Sequence, residues 1–161
     1  MIDHLWLRPV GFDDEAFLRR VYADARAPEI ALTGWEAASA QAFLRMQFDA
    51  QRQHYRKHYP DAHFDIVERA GTPVGRLYVA RTAGEMRIVD IALLAPWRGQ
   101  GIGSTLLQAL LDEGMRDARR VTIHVEGRNP ALALYRRLGF TDIEPHGVYR
   151  LLEWRPTPLP A

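Results

Sequence analysis

Residues 95–107 read "APWRGQGIGSTLL". Glycines alternate at Gly99, Gly101 and Gly103, Arg98 stands ahead of them, and Ile102, Leu106, Leu107, Leu110, Leu111 and Met115 follow at helical spacing. A strand that ends in a glycine-rich turn and opens a helix gathers free backbone N–H groups at the positive end of the helix dipole. Glycine lets such a turn tighten and lets an anion come close, and Arg98 adds a cation at its mouth. The chemistry this favours is capture of a pyrophosphate or a similar dianion. A Walker-type phosphate loop needs Gly-Lys-Ser/Thr, and this loop has no lysine. A dinucleotide fold needs G-x-G-x-x-G after its first strand. Here the spacing is G-x-G-x-G, with about 95 residues before the loop and about 58 after it, which leaves no room for the strands such a fold places downstream. Glu126, at the end of the next strand, is what keeps that alternative alive. A tight turn without a ligand is the bland alternative.

Asp90 interrupts the apolar run "IVDIALL". A carboxylate in a central strand is costly unless paired, so it needs either an acid–base task or an ion pair with one of the many arginines. His54 and His58 lie one helical turn apart, a spacing that metal ligands use. No carboxylate or cysteine completes a metal motif, and the surroundings "QRQHYRKHY" are polar. A solvated helix face is expected there, and no metal.

These residues must be held by about one domain's worth of chain. The 161 residues are 47% hydrophobic and 25% charged, without cysteine, and carry a net charge of +1. Disulfides and thiolate chemistry are therefore excluded, and bulk charge gives no reason to expect nucleic acid. The opening "MIDHLWLRPV" lacks the pattern of a signal peptide. No apolar stretch approaches the roughly 18 residues that span a bilayer. A cytoplasmic protein with no membrane partner is the expectation. Lys57 is the single lysine among 21 cations, a habit of base composition that suggests a GC-rich bacterial genome.

The pattern reads as a strand over "HLWLRPV", a helix over "DDEAFLRRVYADAR", and a second helix to about His58 that opens with a Thr33–Glu36 capping box and ends at Pro60. Three strands follow, "HFDIVERA", "TPVGRLYVARTA" and "EMRIVDIALLAP". The helix after the glycine loop leads to the strand "RRVTIHVEGR". The helix "NPALALYRRLGF" has Asn129 as its N-cap, Pro130 at its first position and Gly139 as its stop. Two short strands in "TDIEPHGVYRLLEW" close the chain. The order β-αα-βββ-α-β-α-ββ predicts an α/β domain over residues 1–155, with a proline-rich tail over 156–161.

Arg98-x-x-Gly101-x-Gly103 resembles the R/Q-x-x-G-x-G/A signature of the GNAT acetyltransferases, and "NPALALYRRLGF" resembles that family's second segment, N-x-x-A-x-x-L-Y-x-x-x-G-F. The element order is similar too, so the resemblance covers the whole domain. It implies a mixed, mainly antiparallel sheet of six to seven strands with a central, splayed parallel pair, flanked by about four helices. It further implies acetyl-CoA as cosubstrate, its diphosphate on backbone amides of Arg98, Gly99, Gln100, Gly101, Ile102 and Gly103, with Ser104 alongside. The pantetheine arm would pair with backbone near Leu93 and Leu94, one of whose amides would polarise the thioester carbonyl. Tyr135 matches the family tyrosine beside the thioester sulfur, where it would protonate the departing thiolate or hydrogen-bond to it. Asn129 to Tyr135 is one residue shorter than the family segment, so Asn129 is either a cofactor ligand or only a cap.

An attacking amine must first lose a proton, because amines are mostly protonated at neutral pH. Asp90, His124 and Glu126 are the candidate bases. Trp35, Gln47, Tyr55 and Tyr149 are placed by analogy along an acceptor pocket, and the exposed last strands offer a surface for a homodimer. Two functions follow: an N-acetyltransferase acting on a primary amine of a small molecule or peptide, or a non-catalytic CoA-binding module of the same fold. Tyr135 and Asp90 argue for the enzyme.

Overall fold

The computed structural model describes residues 4–157, apart from the side chains of Pro145 and His146. The end of the expected tail, 158–161, lies outside the described residues. The elements are β1 (Leu5–Pro9), α1 (Glu15–Ala31), α2 (Ala37–His58), β2 (His63–Arg69), β3 (Thr72–Arg81), β4 (Glu85–Leu93), α3 (Ile102–Asp117), β5 (Arg120–Glu126), α4 (Leu132–Arg137), β6 (Thr141–His146) and β7 (Tyr149–Trp154), with short 3-10 turns at Phe12–Asp14 and Ala95–Trp97. One seven-stranded sheet runs β1-β2-β3-β4-β5-β7-β6. Only β4 and β5 pair in parallel; every other neighbour is antiparallel. The predicted order and sheet are those observed.

Each face of the sheet has its own core. Ile102, Leu106, Leu107, Leu110 and Leu111 of α3 pack with Val74, Leu77, Met86, Ile88 and Val121, joined by Leu132 and Tyr135 of α4. Leu18 and Tyr22 of α1 and Phe48 of α2 pack on Ile66 and Tyr78 from the other side. Met115, expected on the buried stripe, is 43% exposed.

Helix ends depart from expectation where side chains find closer partners. The Thr33 hydroxyl donates to the Ile30 carbonyl and accepts from the Trp35 amide. It therefore closes α1, which runs to Ala31 with Pro28 inside it, and no capping box opens α2. Local side-chain bonds of this kind compete with capping. Asn129 Oδ1 accepts from the Ala131 amide at 2.9 Å, which caps a single turn feeding α4, so the helix begins at Leu132 and not at Pro130.

The feature that makes a site is the divergence of β4 from β5. Pairing covers only Glu85–Ile88 against Arg120–Ile123. In the β3–β4 ladder Tyr78 opposes Asp90 while Val79 opposes Ile88, so Val89 is an extra residue, and such a bulge bends its strand. Beyond it β4 leaves β5, and a gap opens. A polar latch holds the closed end: fully buried Thr122 donates to Glu85 Oε2 at 2.6 Å and accepts from Arg87 Nε at 2.6 Å.

Candidate active site

The gap continues into a cleft of about 1440 Å³. Its walls bring together Asp90 and Leu93 of β4, Arg98, Gly99 and Gly103 of the loop, His124 and Glu126 of β5, and Asn129 and Tyr135 around α4. Tyr55 and Tyr149 also line it, while Trp35 and Gln47 do not. Trp35 stacks edge-on with Phe43, and Gln47 accepts from the Tyr22 hydroxyl.

Gly99 and Gly101 both hold positive φ, +71° and +83°, a conformation that side chains with a Cβ rarely take. That backbone path leaves the amides of residues 99–104 without a protein acceptor among the described residues; the first helical bond of α3 is Thr105 N–H to the Gly101 carbonyl. Ile102 is fully buried, so only its amide can face a ligand. Two side chains of the loop are occupied structurally. Gln100 donates to the Pro96 carbonyl and accepts from Arg69. Arg98 Nε donates to the Leu93 carbonyl at 3.0 Å, which fastens the loop to the end of β4. Asp24 of α1, with no marker in the sequence pattern, caps the turn between them by accepting from the Ala95 amide.

Leu93 and Leu94 separate clearly. The Leu94 amide donates to the Val74 carbonyl at 2.9 Å and is taken. Antiparallel partners exchange bonds at alternate residues, so the peptide groups of Leu93 and Ile91 turn away from β3 and toward the gap. Gly75, opposite Leu93, makes that strand end compact: a Cβ there would stand 2.3 Å from the Ala92 carbonyl oxygen.

Tyr135 is 4% exposed and packs edge-on against Phe140. Its hydroxyl has no hydrogen-bond partner among the described residues. Burial, with the negative charge of Asp90, pushes its pKa up to about 12, so it stays a neutral phenol at physiological pH. The same two causes raise the Tyr55 phenol. Asp90 thus lies within electrostatic reach of tyrosines on two different helices.

Asp90 is ion-paired with Arg76 of β3, an arginine only 4% exposed. Arg76 also donates to Gln51 Oε1 at 2.9 Å and lies over the Tyr78 ring. The "VGRLYV" of β3 contained this partner, one residue out of phase with the apolar alternation. His124 is exposed, and its Nδ1 is 3.2 Å from Arg87 Nη1. A guanidinium can only donate, so Nδ1 accepts and the ring hydrogen sits on Nε2. The tilted rings of His54 and His58 have their centroids 4.3 Å apart, and no group of three metal-binding side chains converges among the described residues. No described helix is long and apolar enough to cross a membrane.

A family model described as "Acetyltransferase (GNAT) family" matches residues 28–140. A Bacillus subtilis protein described as a ribosomal protein bS18-alanine N-acetyltransferase is 31% identical over 91 residues, 55% of this chain and 58% of that one. The mycothiol acetyltransferase of Corynebacterium glutamicum is 40% identical over 80 residues, 47% of this chain but 27% of its own length. The chain thus matches little more than half of the first relative and about a quarter of the second. Among solved structures, the PaiA N-acetyltransferase of Thermoplasma acidophilum, in complex with coenzyme A, superposes with a TM-score of 0.70 at 15% identity, covering 94% of this chain and 98% of that one. A GNAT acetyltransferase of Elizabethkingia anophelis with acetyl-CoA bound gives 0.63 at 14% identity over 95% and 99%. At such identities the likeness is one of fold.

Proposed function

The chain belongs to the acetyltransferase (GNAT) family, and we propose that it transfers the acetyl group of acetyl-CoA directly to a primary amine. The observation that carries this is the run of amides from Gly99 to Ser104 without an acceptor among the described residues, at one end of a cleft that also holds Asp90 and Tyr135. Unpaired N–H groups at a helix N-terminus suit a diphosphate. The gap between β4 and β5 suits an extended arm that pairs with strand backbone. Two of the similar structures hold coenzyme A or acetyl-CoA, which supports the choice of donor. When bound, that donor supplies the activated acetyl thioester; the rest falls to the chain.

The inward amide of Leu93 is the donor for the oxygen that gains charge as the amine attacks. Asp90 attracts the ammonium form and accepts its proton, directly or through water. Arg76 holds Asp90 in place through their ion pair. His124 is the less available candidate, because its Nδ1 is already engaged by Arg87, and Glu126 stands further along β5. Tyr135 faces the leaving sulfur. A phenol at about 12 sits about 3.5 units above an ordinary thiol, so complete transfer would be uphill by about 5 kcal/mol. Tyr135 therefore stabilises the thiolate by a hydrogen bond without surrendering its proton, and the second proton, which the nitrogen sheds as the amide forms, passes to the departing sulfur through water. Asn129, whose side-chain oxygen caps a turn, keeps only its amide nitrogen for the cofactor.

Calorimetric titration with acetyl-CoA, with NADH as comparator, tests the donor site. Binding by the wild type, lost in Gly101→Glu, is the expected result, since the variant adds an anion and a Cβ where φ is +83°. Equal binding by both proteins would remove the loop from the site. Thiol release across an amine panel then tests turnover.

A further inference from the structure

Beside the cleft, under the opposite side of α2, lies a second cavity of about 550 Å³. Gln51, Tyr55 and Arg76 form a wall common to both spaces. Away from that wall the lining is aromatic, with Phe48, Phe64 and Tyr78. Phe12 stands at the rim and is 99% exposed, an apolar ring left open to solvent. Arg52 and Arg56 flank it, against Glu15 alone, and Glu15 is already held by Arg52 at 2.6 Å and by Arg19 at 3.3 Å. Arg56 has no ion pair among the described residues. In the wall, Arg76 spends Nη2 on Gln51 and Asp90, while its buried Nε has no hydrogen-bond partner among the described residues. A buried donor left without a partner is costly, and an arginine accepts nothing but an acceptor or an anion in that place.

We propose that this cavity is a ligand site, separate from the acetyl-transfer cleft, for a small carboxylate with an aromatic body: the ring among Phe12, Phe48 and Phe64, the carboxylate toward Arg56 and the Nε of Arg76. The size fits one such molecule, since ligand cavities of roughly 300–1,000 Å³ hold compounds up to drug size. The polarity of the site selects an anion over a neutral or cationic analogue. A free aryl carboxylate and the carboxylate end of an aromatic acceptor share this chemistry.

The test uses the full chain, 3-phenylpropionate and its neutral amide, 3-phenylpropionamide, with backbone amide NMR shifts as readout. The carboxylate should bind with a Kd of about 0.5 mM, the range expected of a ligand of this size, and should shift Gly11, Phe12, Arg52 and Arg56. The amide should bind about tenfold more weakly, the loss of one charge-assisted contact. Arg56→Gln should weaken the carboxylate about fivefold and leave the amide unchanged, whereas Phe12→Ser should weaken both. Both are exposed substitutions that spare the core. Saturating acetyl-CoA should not displace the probe. Competition between the probe and the amine acceptor in thiol release would identify the acceptor's own carboxylate end as the source; a change that persists at saturating amine would identify a separate ligand. Shifts confined to Asp90, His124 and Tyr135, equal affinity for carboxylate and amide, or no saturable shift would overturn the proposal.

Discussion

Asp90→Asn separates what the Asp90 carboxylate does for the fold from what it does in the cleft. Arg76 is 4% exposed, and its ionic partner is Asp90, whose side chain is 19% exposed. Removing one member of a buried pair strands the other charge, at about 3–5 kcal/mol. Gln51 stays on Nη2, and cleft water reaches Asp90 in part, so the lower end applies, about 3 kcal/mol. For a chain of this length that lowers Tm by roughly 9 °C. Arg76→Met/Asp90→Leu removes both charges together, and apolar replacement of a buried pair is often neutral, so the double variant should unfold within about 1 kcal/mol of wild type. Urea denaturation and calorimetry measure stability; thiol release measures turnover. Turnover should be lost in the single variant and stay lost in the double, because stability returns but the amine has no carboxylate to meet. A single variant that melts within about 2 °C of wild type would refute the stranded charge. A stable double variant with wild-type turnover would confine Asp90 to structure.

Tyr135→Phe should reduce turnover by about 10- to 100-fold, the scale of one transition-state hydrogen bond, while acetyl-CoA affinity by calorimetry changes less than about twofold; equal losses in both would mean that the ring merely shapes the cleft. Gly75→Ala should destabilise by about 3 kcal/mol, the upper range for overpacking, because the added Cβ meets the Ala92 carbonyl oxygen and Leu93 at 2.3 and 2.7 Å; unchanged urea unfolding would contradict this. Arg8 holds Asp14 through two bonds, 2.7 and 2.8 Å, and with the Gly11 amide and despite burial lowers its pKa from 3.8 to about 2. A depressed carboxyl stabilises the fold above its unfolded pKa and loses that contribution as pH falls through the folded one. With Arg8 about a third exposed, the contribution is about 1 to 2 kcal/mol after allowance for screening. Asp14→Asn should therefore be less stable than wild type at pH 6, and the difference should shrink as the pH drops from about 4 toward 2; a constant difference would refute the linkage.

Much of this was legible in the chain. The alternating strands, the leucine stripe of α3 and the glycine loop are local patterns, and local patterns reported the element order and the partnerless amides. What was not legible depended on distance in sequence or on competition between partners. Arg76 and Asp90 are fourteen positions apart and become neighbours only through the β3–β4 register, so the carboxylate in "IVDIALL" could be noticed and its partner could not be chosen from 20 arginines. Thr33 fits a capping pattern, yet a carbonyl one turn behind it was the nearer partner. Leu93 and Leu94 are indistinguishable by type, and only the Val74 contact divides them. His124 stands at an exposed position, but the tautomer fixed by Arg87 is a property of the folded pair.

The cleft owes its shape to strand geometry more than to loops. Four residue pairs lock β4 to β5 at one end, and the Glu85–Thr122–Arg87 latch holds them there. One extra residue, Val89, then releases the strand, and Gly75 lets its far end lie flush on β3, so the Leu93 peptide faces the gap. Deleting Val89 would restore a regular ladder with the same partners, Asp90 opposite Tyr78 and Leu93 opposite Gly75, but it would remove the extra residue that bends β4. Asp90 would keep Arg76, but the unbent β4 would run on beside β5 and narrow the gap. That variant should lose acetyl-CoA binding by calorimetry even where circular dichroism reports a folded sheet. A folded deletion variant that binds acetyl-CoA as tightly as wild type would show that the bulge does not set the site.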